Sequence, residues 1–170
     1  MNFWVNPKII LAAVILITSV VFDLRSKKIP NQFILVSGGL ALVLLLVLDG
    51  RSGLWPAMAS LLTACTFTFP MFSLRAIGGG DVKLILVLAL LLSWNAVLTT
   101  VLAAMVWGAM LGLFRIVFSG KLREFSTNLL HILKRSRPPT SQLSQFPFTV
   151  AILFGFMTAC VLETRGGLWM

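Results

Sequence analysis

Six apolar runs, separated by short polar or glycine- and proline-rich breaks, leave this chain few ways to fold. The runs are Ile9 to Phe22, Gln32 to Leu48, Leu54 to Leu74, Val82 to Trp94, Ala96 to Phe118 and Phe146 to Leu162. A helix of about 20 apolar residues spans the roughly 30 Å hydrocarbon core of a bilayer. In lipid the backbone must satisfy its own hydrogen bonds, which leaves helices or closed barrels. Residues are 58% hydrophobic and only 11% charged, far from the soluble norm. The expectation is an all-α polytopic membrane bundle of about six transmembrane helices, in one domain covering residues 1–170. Ile9 to Phe22 reads as a retained helix rather than a signal peptide, because more apolar runs follow and no small-residue cleavage pattern closes it.

The breaks carry the local signals. Pro30 restricts itself and Ile29 and marks a helix boundary. Asp49-Gly50-Arg51-Ser52-Gly53 has the composition of a turn. Pro56 suits a helix start, whereas Pro70 is expected to kink or break the end of the third run. The fourth run covers only about 20 Å at 1.5 Å per residue, so a short helix is expected there. Gly108 and Gly112, four apart, have a spacing suited to close helix contact. Residues 119–145 form the one long polar segment. Leu122, Phe125, Leu129, Ile132 and Leu133 recur in it at helical spacing among basic residues, which predicts an amphipathic helix on an anionic membrane surface. Cys65 and Cys160 lie in apolar runs and read as packing residues. No metal-ligand cluster is present in the sequence, so neither metal nor cofactor is expected.

Charge sets the orientation. With six spans, the loops after spans one, three and five share a side, and they hold eleven of the fourteen basic residues. Positive residues remain cytoplasmic, so both termini are expected on the outer side. The net charge of +9 is therefore topological, with anionic lipid rather than nucleic acid as its partner.

Only five acidic residues occur, and two of them matter most. Asp23 closes the first span and Asp81 opens the fourth, both on the cytoplasmic side. Asp49 and Glu163 fall on the other side, and Glu124 lies within the basic loop. An acid at a membrane edge is costly and marks a functional site. Two carboxylates brought together resist ionising together and share a proton. One can then take a proton from water while the other gives one to a scissile carbonyl oxygen. The plainer alternative is that Asp23 caps a helix beside Arg25 and Lys27, and that Asp81 is favoured at a helix N-terminus. Arg25, Lys27 and Lys28 read as topology anchors, and Lys83 as a snorkelling lysine.

Gly78-Gly79-Gly80-Asp81-Val82-Lys83-Leu84 resembles the G-x-G-D-V-K-L signature of bacterial type IV prepilin peptidases. Asp23-Leu24-Arg25 with Ile29-Pro30-Asn31 resembles their D-x-R-x-x-x-I-P-N motif, and Phe146-Pro147-Phe148 their proline-phenylalanine element. The resemblance covers nearly the whole chain. It implies an endopeptidase that removes the basic leader of prepilins or pseudopilins at the cytoplasmic face of the inner membrane. Asp23 and Asp81 would be its catalytic pair, and Gly78, Gly80, Pro30, Asn31 and Pro147 would shape the site. The chain looks like the short Tad/Flp-type form, without the cysteine-bearing methylating domain, so methylation is not predicted. Thr149 departs from the pattern, standing where a glycine often follows proline-phenylalanine. The competing functions are a proton-coupled transporter, which calls for acids at the bilayer midplane, and a non-catalytic scaffold of a pilus or secretion system.

Overall fold

The computed structural model describes residues 6–27, 29–74, 76–118 and 148–166. These residues form six α-helices: α1 (Pro7–Ser26), α2 (Asn31–Asp49), α3 (Leu54–Ser73), α4 (Gly79–Ala89), α5 (Trp94–Phe118) and α6 (Phe148–Gly166). No strand occurs among them. Three helical stretches are long and apolar enough to cross a membrane: Pro7–Ser26, Asn31–Ser73 and Trp94–Phe114. The second joins α2 and α3 through a 3-10 turn at Gly50–Gly53. The glycine at the start of that turn, Gly50, has φ 63°, a conformation that suits a residue without Cβ. The amphipathic helix expected over 119–145, and Pro147, lie outside the described residues.

Local chemistry accounts for both ends of α1. Asn6 caps α1 by accepting a hydrogen bond from the Lys8 amide at 3.1 Å, with Pro7 in the first helical position. The helix runs one turn past its apolar run and closes on Lys27 in the left-handed region at φ 52°. There the Lys27 amide donates to the Asp23 carbonyl at 2.9 Å. Phe22 and Phe33 pack with ring centroids 5.3 Å apart, which fastens the end of α1 to the start of α2. α3 does not break at Pro70; it continues to Ser73. Proline has no N–H, so the helix gives up the bond from position 70 to the Thr66 carbonyl without ending there.

α4 is shorter than its apolar run and starts earlier, inside the glycines. Its 11 residues cover about 16 Å. A helix of that length cannot span lipid alone, and α4 is surrounded instead: it packs on α2, α3 and α5. Leu84, Ile85, Val87, Leu88 and Ala89 are buried in the same core as Leu16 of α1, Ala64 of α3 and Val97 of α5. Beyond its end, the Leu92 carbonyl accepts a hydrogen bond from the buried Ser60 hydroxyl of α3 at 2.9 Å. Non-helical backbone is thereby satisfied by protein, as it must be where water is absent.

α6 lies against α5 and α1. The α5–α6 contact is close because both helices are small there. A Cβ placed on Gly155 would sit 2.5 Å from the Thr100 carbonyl oxygen and 2.7 Å from the Ala104 nitrogen. One placed on Gly108 would sit 2.9 Å from the Phe148 ring, whereas Gly112 faces open space. Of the two glycines picked out by spacing, only Gly108 lies at the contact. Trp107 completes the seam, donating its indole N–H to the Thr158 hydroxyl at 3.0 Å. Cys160 is buried and Cys65 exposed, and both are free thiols.

Candidate active site

Three helices deliver three side chains to one point. Asp23 comes from the last two turns of α1, Asp81 from the first turn of α4, and Thr149 from the first turn of α6. The Thr149 hydroxyl lies 2.6 Å from Asp23 Oδ2 and 3.1 Å from Asp81 Oδ1. The two carboxylate oxygens are therefore no farther apart than those two contacts laid end to end. Thr149 is fully buried, and both aspartates are half-buried. Two acids 58 positions apart in the chain thus meet at one end of the bundle.

The glycines act unequally. Gly78 is the N-cap of α4, and its amide donates to Asp81 Oδ2 at 3.3 Å. A Cβ there would stand 3.2 Å from that same oxygen, so glycine keeps the carboxylate free to turn. Gly80, expected to shape the site as well, faces the Ile29 side chain at an ordinary 3.6 Å. Gly79 faces Phe72 of α3. None of the three needs a positive φ; their use here is close approach. Gly78 and Gly79 are exposed, so one side of the Asp81 carboxylate is bounded by bare backbone.

Pro30 and Asn31 stand beside the dyad rather than in it. Pro30 is the N-cap of α2, with ψ 133°, and Asn31 is that helix's first residue. The Lys83 ammonium donates to Asn31 Oδ1 at 2.9 Å. Lys83, expected to snorkel alone, instead ties the α4 motif to the α2 motif. Two residues on from Asp81, it points away from the acid, as helical geometry demands. It leaves the acid pair without that cation.

The other acids fall elsewhere. Asp49, at the end of α2, forms an ion pair with Lys8 at the start of α1. Glu163 is near the end of α6, remote along that helix from Thr149. No group of three or more His, Cys, Asp or Glu side chains suited to a metal is found among the described residues.

Sequence reasoning missed Thr149. It registered only as a departure at a position where glycine is common. The available signal was a hydroxyl placed directly after a proline-phenylalanine pair, at the start of the last apolar run.

The chain matches the type IV leader peptidase family over residues 10–113, a span that holds Asp23, the Ile29-Pro30-Asn31 turn and Asp81. It belongs to that family. No curated protein and no solved structure matches it. Family membership makes the chain a peptidase of the type IV leader class, and its apolar helices make it a membrane protein. The matched span stops short of α6, so Thr149 enters the site through the fold alone.

Proposed function

We propose that this leader peptidase is an aspartic endopeptidase that cuts the basic leader from Flp-type prepilins at the cytoplasmic face of the bacterial inner membrane. Its six helices form a multi-pass bundle with both termini outside. The observation that carries this is the meeting of Asp23 and Asp81 on one hydroxyl. Two acids so placed hold one proton between them. The ionised carboxylate takes a proton from water as the water oxygen bonds to the scissile carbonyl carbon. The protonated carboxyl gives its proton to the carbonyl oxygen. Collapse of the tetrahedral intermediate breaks the C–N bond, and the leaving nitrogen is protonated from the dyad.

The substrate's apolar helix would lie in lipid against the bundle, with its basic leader in the cytoplasm. The extended peptide at the boundary would approach from the side of the exposed Gly78 and Gly79. The exposed apolar residues of α2, Leu35, Val36, Val43 and Val47 among them, suit contact with lipid. Proton-coupled transport finds no support in this arrangement, because the acids stand near helix ends.

Asp23→Ala and Asp81→Ala, each co-expressed with a prepilin and followed by the mobility shift of leader removal, test the assignment. Both variants should insert normally and leave the prepilin uncut. Normal processing by either one refutes the catalytic pair.

A further inference from the structure

Many of the described hydroxyls share a habit that Thr149 does not follow. Thr18 donates to the Val14 carbonyl, Ser19 to Ile15, Thr63 to Ala59, Thr68 to Ala64 and Thr99 to Asn95, each one helical turn back. That is the usual way for a hydroxyl in an apolar helix to satisfy itself. Thr149 is the second residue of α6 and has no carbonyl one turn earlier in its own helix. Its hydroxyl, fully buried, turns instead to the two carboxylates.

We propose that Thr149 is a positioning residue that holds Asp23 and Asp81 together as a one-proton pair. A hydroxyl has one proton to give and lone pairs to receive another. With both carboxylates ionised, it could donate well to only one of them and would face the other oxygen with lone pairs. With one carboxyl protonated, both contacts are satisfied: Thr149 donates to the ionised partner and accepts from the neutral one. The 2.6 Å contact to Asp23 has the length of a hydroxyl donating to a carboxylate. The bridge thus favours the ionisation state that hydrolysis needs. It also sets the spacing of the acids from a third helix, independently of α1 and α4.

The surroundings leave the hydroxyl this role. Asp23 faces it from α1 and Asp81 from α4, while the Lys83 ammonium is engaged by Asn31. α5, the main neighbour of α6, has no charged residue among its described side chains.

This inference rests on the aspartic reading above, and the two can fail separately. The test is steady-state cleavage of a prepilin by the full chain in lipid vesicles. Thr149→Val keeps the shape and removes the hydroxyl. Its kcat should fall by about 100-fold, the cost of misplacing a catalytic group by roughly an ångström, with KM little changed. Thr149→Ser should recover most of that turnover. If Thr149→Val does not insert, Thr149→Ala carries the same expectation. Wild-type kcat without the hydroxyl, a loss confined to KM, or a serine variant as impaired as valine each overturns the bridge. Asp23→Ala and Asp81→Ala in the same assay report on the dyad itself. If they cleave, the aspartic reading has failed; if they are dead while Thr149→Val is normal, only the bridge has failed.

Discussion

The two ends of this bundle treat an acid in opposite ways. At one end Asp49 meets a cation, Lys8, where the start of α1 comes beside the end of α2. At the other, Asp23 meets a second acid through Thr149, while Lys83 is bonded to an asparagine. The first arrangement neutralises charge and joins two helices. Among the described residues the second brings no ion-paired cation to the acids, which leaves a proton as the way to relieve repulsion. On the aspartic reading proposed above, the structural acid is paired with a base and the acid kept for chemistry with another acid.

The same substitution made at both ends is the sharpest way to break this contrast. Asp23→Asn should lower prepilin cleavage by about 10²- to 10⁴-fold, the usual worth of acid–base catalysis. Asp49→Asn should leave cleavage at the wild-type rate and cost stability no more than about 1 kcal/mol, as for an exposed ion pair. Equal effects from the two changes would abolish the distinction.

Helix packing gives the next largest effect. Gly155→Leu puts side-chain atoms where α5 backbone already lies. It should destabilise the bundle by about 1–3 kcal/mol, seen as a lower melting midpoint in detergent. Cleavage should fall with it, since α6 carries Thr149, while the Lys8–Asp49 pair on α1 and α2 persists. Unchanged melting and activity would show that α6 does not need this close approach.

Gly78→Ala is a local version of the same test. Its methyl would stand 3.2 Å from Asp81 Oδ2, a crowding of a few tenths of an ångström. Cleavage should drop by about tenfold, less than the roughly 100-fold cost of a full ångström. Gly80→Ala, which meets only the Ile29 side chain, should lose less. If the order of these two is reversed, the glycines serve packing rather than the carboxylate.

The smallest effect concerns the lysines. Lys83→Met removes one exposed hydrogen bond to Asn31, worth about 1 kcal/mol or less, and should slow cleavage only severalfold. Lys8→Met, at the far end, should not slow it at all. A complete loss on Lys83→Met would place that ammonium in the chemistry.

Much of this was legible along the chain. Apolar runs demand helices in lipid, and Pro30 and the Asp49–Gly53 turn mark ends through torsional limits that act over a few residues. Asp23 and Asp81 stood out because acids are so rare here. Other features needed three dimensions. Pro70 stays inside α3, which runs on to Ser73 despite the missing amide. The limits of α4 depended on which carbonyls find partners, Ser60 satisfying Leu92 across two helices. Lys83 looked like a snorkelling side chain until α2 brought Asn31 within reach.

Hydropathy and the alternation of charge thus settle, residue by residue, that the chain is a helical membrane protein with two notable acids, since each depends only on near neighbours. That the acids meet, and that they meet on Thr149, is a matter of helix packing. Thr149 lies 126 residues from Asp23 and 68 from Asp81, and no local preference acts over such distances. The small residues of the α5–α6 seam, which let α6 come close, turn an unremarkable threonine into the link between them.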